Sequence, residues 1–166
     1  MTKLLNFPTE VNDTSARIVA TGAVVMASGY AVTGWAWLLI PLTYGFVARV
    51  LSGPTFSPLA RLATQVITPR INANHRIVAG PPKRFAQGVG ALFSVTASVL
   101  FLLDFSTASR WVAAALAGPA FLEAAFGFCI GCKMFAGLMR LGVIPESVCV
   151  ECNDISARLR AQGVLQ

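Results

Sequence analysis

The sequence predicts an all-α integral membrane protein: a four-transmembrane-helix bundle with an amphipathic surface helix and a cytoplasmic C-terminal helix. Three observations predict it. First, the 166-residue chain is 55% hydrophobic and only 12% charged, against about 25% charged in soluble domains. Seven acids and thirteen bases are too few to cover a soluble domain, whereas lipid solvates an apolar exterior. Second, Ile18 to Ala48 and Phe85 to Leu103 contain no Asp, Glu, Lys or Arg over 31 and 19 residues. Third, the bases gather on one side of the topology that these segments imply.

Residues 1–15 carry no secretory signal pattern, and the N-terminus is expected to be retained. A single helix over Ile18 to Ala48 is about 46 Å long, more than a hydrocarbon core of about 30 Å. Two spans therefore fit, at about 16–33 and 34–51, with breaks near Ser28 to Tyr30 and Thr33-Gly34; the alternative is one tilted span plus a half-helix starting at Pro41. Trp35 and Trp37 then fall in an interfacial aromatic belt. Ser57 and Pro58 read as N-cap and first turn of a helix over 57–68. Its apolar face is Leu59, Leu62, Ala63, Val66 and Ile67, and it is expected to stop before Pro69 and lie on the bilayer surface. Residues 69–84 read as a basic loop with His75. The third span covers 85–103 and the fourth 111–132, kinked at Gly118-Pro119, with the helix running on to Gly142. The tail, 133–166, is expected to form a cytoplasmic helix with Val148, Cys152, Ile155 and Leu159 on one face.

With four spans, twelve of the thirteen Lys and Arg lie on the side of both termini and only Arg110 opposite. The positive-inside rule places that side in the cytoplasm. It also accounts for the net charge of +6 without nucleic acid as a partner.

Three segments, SGPTFSPLARLATQVITPRI, PPKRFAQGVG and GFCIGCKMFAGLMRLG, resemble the bacterial multi-pass membrane proteins of domain-of-unknown-function family 4395. The resemblance runs from about the first span to Gly142. It implies a small bacterial inner-membrane protein with a C-x-G-C pair at the end of its last span, and it implies no activity.

All four cysteines form two C-x-x-C pairs, Cys129/Cys132 and Cys149/Cys152. In a soluble chain such spacing reads as a zinc site. Here a long fourth helix carries the first pair away from the second, so four-sulfur convergence needs Val148 to Asn153 to be a loop. Thiol redox asks for less. The cytosol is reducing, so paired thiols there mean catalysis or metal more often than standing disulfides. Lys133 follows Cys132 and favours thiolate, while Gly127 and Gly131 loosen the turn and admit a neighbouring backbone. The leading expectation is thiol redox or sulfur relay with a soluble thioredoxin-like or rhodanese-like partner, one thiol attacking and the other resolving. The alternatives are zinc or an iron–sulfur cluster on the four cysteines, and an accessory or scaffold subunit of a membrane complex or homo-oligomer.

Glu123 and Arg49 fall at similar depth inside spans. Ionisable groups there are costly, and the two are expected to pair or to line one polar cavity. One histidine is too few for haem, di-iron or most hydrolytic zinc sites. No P-loop, G-x-G-x-x-G or G-x-S-x-G occurs.

Overall fold

The computed structural model describes residues 10–53, 56–70 and 77–144. His75, Cys149, Cys152 and the expected tail helix beyond Ile144 lie outside the described residues. Two short strands qualify the all-α expectation. β1 (Glu10–Asn12) pairs antiparallel with β2 (Ile77–Ala79), Glu10 opposite Ala79 and Asn12 opposite Ile77. Val11, Ile77 and Val78 are β-branched and suit extended backbone. Each strand runs directly into a long helix, so the ribbon sets the starts of those two helices side by side.

α1 (Asp13–Thr33) begins three residues before the expected span, because Asn12 caps it by accepting from the Thr14 N–H. It passes through Ser28 to Tyr30 unbroken and ends where Gly34 turns left-handed at φ 74°. A 3₁₀ turn (Ala36–Leu38) leads into α2 (Leu39–Ser52). Together they reach about 27 Å, the length of the expected span at 34–51, but with the first turn wound as 3₁₀. α5 (Gly80–Leu102) starts at Gly80, with prolines in its first turn. The expected loop end therefore becomes helix, as proline at N1 or N2 permits.

The surface segment is α3 (Pro58–Arg61), a π-helical turn (Leu62–Ile67) and α4 (Thr68–Arg70). It does not stop before Pro69. The wider π turn lets both the N–H and the hydroxyl of Thr68 reach the Ala63 carbonyl. It also turns the apolar face: Ala60 and Ala63 are buried beside Val19 of α1, while Leu62 and Val66 are exposed.

The largest correction concerns the last span. α6 (Ser106–Phe126) runs through Pro119 and ends at Phe126, ahead of both cysteines. α7 (Ile130–Arg140) leaves at 98° to it. A continuous helix over 111–132 and on to Gly142 does not form, because Gly127 takes a left-handed conformation. α1 and α5 are long and apolar enough to cross a membrane, and a third crossing is reached if α6 and α7 count as one bent span.

α1 and α6 pack antiparallel, and each pins the other's end. Arg17 near the start of α1 donates to the Ala124 and Ala125 carbonyls of α6. Arg110 near the start of α6 donates to the Ala31 and Val32 carbonyls of α1. Cations there satisfy orphan carbonyls and oppose the negative end of the helix dipole. α5 joins the pair through polar contacts at both ends. At one, Tyr30 Oη meets Ser109 Oγ, which donates to the Ala97 carbonyl. At the other, Lys83 Nζ lies 2.6 Å from Glu123 Oε1 and 3.3 Å from Asp13 Oδ1. α2 joins α5 by Thr43 to Ser98 and by Phe46 pressing on Gly90, where no Cβ fits.

Lys83 is 5% exposed, so removing it leaves the mostly buried Glu123 carboxylate and the partly buried Asp13 carboxylate without their cation. Lys83→Met is expected to lower unfolding stability by about 3–5 kcal/mol. Adding Glu123→Gln is expected to recover part of the loss. Denaturant titration of purified protein in detergent checks both, and purely additive losses would refute the ion pair.

Candidate functional site

The site begins where α6 stops. The Gly127 N–H bonds the Glu123 carbonyl, the single bond that closes a helix with a left-handed glycine at C′, and the Phe128 N–H reaches back to the Leu122 carbonyl. The chain then turns, and Cys129 takes extended backbone as the N-cap of α7. Its Sγ accepts from the Cys132 N–H at 3.3 Å and from the Cys132 thiol at 2.6 Å. Both thiols are free. Gly131 lies so close to α5 that an added Cβ would meet the Ala86 Cα at 2.7 Å. The glycine of C-x-G-C therefore seats the dithiol turn against α5.

Hydrogen bonding separates the two sulfurs. The Cys132 thiol, donating to Cys129 Sγ, holds the Cys129 thiol below its ordinary range, helped by the Cys132 amide and Lys83 against burial and Glu123. The same hydrogen bond, with burial, pushes the Cys132 thiol up. Cys129 is thus the more acidic thiol of the pair, the direction expected at a C-x-x-C turn opening a helix. It is 8% exposed and faces inward, whereas Cys132 is half-buried.

Inward of Cys129 lies a cavity of about 260 Å³. Its walls come from α1, α2, α5, α6 and α7, and they are mostly apolar, with Phe46, Phe93 and Leu116 among them. Arg49, Gln87, Glu123 and Cys129 also line it. Arg49 stacks on Phe46 at 4.6 Å and donates from Nε to Gln87 Oε1 at 2.9 Å. Its Nη1 is buried without a hydrogen-bond partner. Among the described residues Arg49 and Glu123 form no direct ion pair; Glu123 takes Lys83 instead and acts on Arg49 through space. Glu123 and Cys129 share the cavity because the chain turns at Gly127. A continuous helix would have set them on different faces.

Residues 11–140 match the family described as Domain of unknown function (DUF4395). The chain belongs to that family. The match includes Arg49, Lys83, Glu123, Cys129 and Cys132 and stops before Cys149 and Cys152. No curated protein and no solved structure matches the chain. Within this DUF4395 chain, no three His, Cys, Asp or Glu of the described residues converge as metal ligands. A four-thiolate site requires Cys149 and Cys152, outside the described residues. Asp13, Lys83, Gln87 and Phe46 escaped the sequence reading. Only Lys83 had a signal: the Pro81-Pro82 pair before it marks a helix start.

Alkylation of Cys129 by iodoacetamide is expected to show a pH midpoint below the ordinary thiol value of about 8.5. The thiolate is the reactive form, so rate rises through that lowered midpoint and then levels. Cys132→Ala removes the donor and is expected to move the midpoint up. Mass spectrometry of the labelled peptide reads both; an unchanged midpoint in the variant would contradict the assignment.

Proposed function

We infer that this protein is a four-span dithiol protein of the bacterial inner membrane, with both termini cytoplasmic. The Cys129–Cys132 pair exchanges electrons, or sulfane sulfur, with a soluble thioredoxin-like or rhodanese-like partner. The observation carrying this reading is the 2.6 Å approach of the two sulfurs at the start of α7. A disulfide spans about 2.05 Å, so the pair closes with little movement.

Several features support the topology. The starts of α1 and α5 and the ends of α2 and α6 share one end of the bundle. Arg17, Arg49, Lys83 and Arg84 are there, tied together by the contacts of Lys83 and by Arg84 reaching the Val50 carbonyl. Arg110 is at the other end, with exposed Trp35, Trp37 and Trp111. Cations inside and an aromatic belt outside fit α1, the 3₁₀–α2 unit, α5 and α6 as spans, with α7 along the cytoplasmic surface. On α7, Phe135 is buried against Phe85 while Lys133 and Arg140 are exposed.

The chemistry follows from the asymmetry of the pair. A partner thiolate attacks the disulfide at the more exposed Cys132, and Cys129 leaves as the better leaving group. Cys132 is thus the sulfur that carries the partner, and Cys129 is the resolving thiol. Cys149 and Cys152 fit as a second, relay pair on the same side of the membrane.

Protein purified in detergent without added metal is expected to show a reversible Cys129–Cys132 couple by thiol titration with and without reductant. In Cys129→Ser, Cys132 is expected to attack the disulfide of an oxidised partner, release one partner thiolate and stay trapped as a mixed disulfide that no Cys129 resolves. One tightly bound zinc or iron per chain with all thiols protected would overturn this reading in favour of a metal site.

A further inference from the structure

The cavity behind Cys129 has the chemistry of a ligand site, and four observations say what enters it. Its walls are apolar. Arg49 and Lys83 are offset by Asp13 and Glu123, and a Cys129 thiolate adds a further negative charge, so no surplus positive charge recruits an anion. One strong donor is left over on Arg49, which lines this cavity and a second one: its Nη1, near Gly45 of the second cavity, has no acceptor although the residue is 5% exposed. A buried donor without an acceptor is costly, and a low-dielectric surround raises that cost. Finally, the outer edge of the cavity is formed by Ala115, Pro119 and Met134, all exposed. With α6 in a bilayer, that edge opens sideways to lipid.

A neutral, flat, apolar molecule with a carbonyl acceptor meets all four conditions. An apolar cavity of about 150 Å³ holds benzene, so about 260 Å³ holds one substituted ring. We propose that the cavity binds the ring of a lipid-soluble quinone, with a ring carbonyl on Arg49 and the ring beside Cys129, and that the dithiol reduces it. The proposal rests on the dithiol reading above and names its membrane-side electron acceptor.

The step balances. Cys129 is thiolate and Cys132 is thiol. The S–S bond forms, the Cys132 S–H bond breaks, and the two sulfurs are oxidised by two electrons. The quinone takes both electrons. Its two carbonyl oxygens take the Cys132 proton and one proton from water, and quinol leaves. Arg49 stabilises the oxyanion that develops on the ring carbonyl before protonation, a preorganised donor in a dry site. The soluble partner then reduces the disulfide through Cys132. Electrons thus pass from a cytoplasmic dithiol to the membrane quinone pool.

Arg49 also borders a second cavity, beside Val25, Gly45 and Leu59, and the test separates the two. The full-length protein is placed in phospholipid nanodiscs, reduced, freed of reductant and mixed anaerobically with a decyl-substituted benzoquinone. The ring of that probe is fully substituted and does not arylate thiols. Quinol is followed by absorbance and the disulfide by maleimide mass shift. Wild type is expected to form one quinol per Cys129–Cys132 disulfide. Arg49→Met is expected to slow the reaction roughly a hundredfold, and Ala120→Met, which fills the cavity, is expected to block it. Val25→Phe, which fills the second cavity, is expected to leave it unchanged.

Diamide, a water-soluble oxidant, should close the pair in every variant and so reports that both thiols remain reactive, while an unchanged helical circular-dichroism melt reports folding. If diamide closes the pair and the quinone does not, the quinone proposal is overturned and the dithiol reading stands. If Val25→Phe blocks the reaction and Ala120→Met does not, the assigned cavity is wrong and the proposal falls. If neither oxidant closes the pair, the dithiol reading fails and takes this one with it.

Discussion

A single ammonium group, Lys83 Nζ, sets the arrangement of the bundle. It lies inside, between a carboxylate at the start of α1 and another near the end of α6. At 2.6 Å the Lys83–Glu123 attraction is about 6 kcal/mol at an effective dielectric of 20. Desolvating each ion costs several kcal/mol, so the net gain is small. The penalty for a wrong arrangement is large, because any packing that separates the three charges leaves one buried and alone. The cluster therefore selects an arrangement more than it stabilises one. It ties α1, α5 and α6 together at one end of the bundle, close to where Gly127 ends α6.

The end of α6 in turn makes the thiol pair. On a continuous helix, residues three apart hold their Cβ atoms about 5–6 Å apart, and a disulfide needs about 3.8 Å. Breaking the helix at Gly127 frees Cys129 to adopt N-cap geometry and fold its sulfur over the first turn of α7. Gly131 is then needed because α7 starts against the backbone of α5 at Ala86. The two glycines have different jobs: Gly127 supplies a left-handed turn, and Gly131 supplies the absence of a side chain.

The same break opens the cavity. α7 leaves α6 at 98°, so it closes one end of the space among the four long helices without filling it. Arg49 on α2 and Glu123 on α6 face this space from opposite walls. They influence each other without touching, since Glu123 is already held by Lys83 and Arg49 by Gln87 and Phe46. A buried arginine kept in place yet short of one acceptor is a strong donor beside a mostly apolar chamber.

Hydropathy, turn residues and the placement of charge were readable from the chain directly. Uncharged runs long enough to cross lipid, Gly34 ending α1, Ser57 capping α3 and a dithiol with a small residue inside it are local properties. Each is decided by a few neighbouring residues and their cost in water or lipid. The sequence by itself determined a helical, lipid-compatible chain with paired thiols near the end of its family-matched region. Tertiary structure alone decided which carboxylates neutralise Lys83, that α6 stops before Cys129, that a π turn carries the surface segment past Pro69, and that Arg49, Glu123 and Cys129 share one chamber. The physical reason is distance along the chain. Lys83 finds its partners 40 and 70 residues away, and a charge beside a basic loop has the same local signature whether it ends in solvent or in the core.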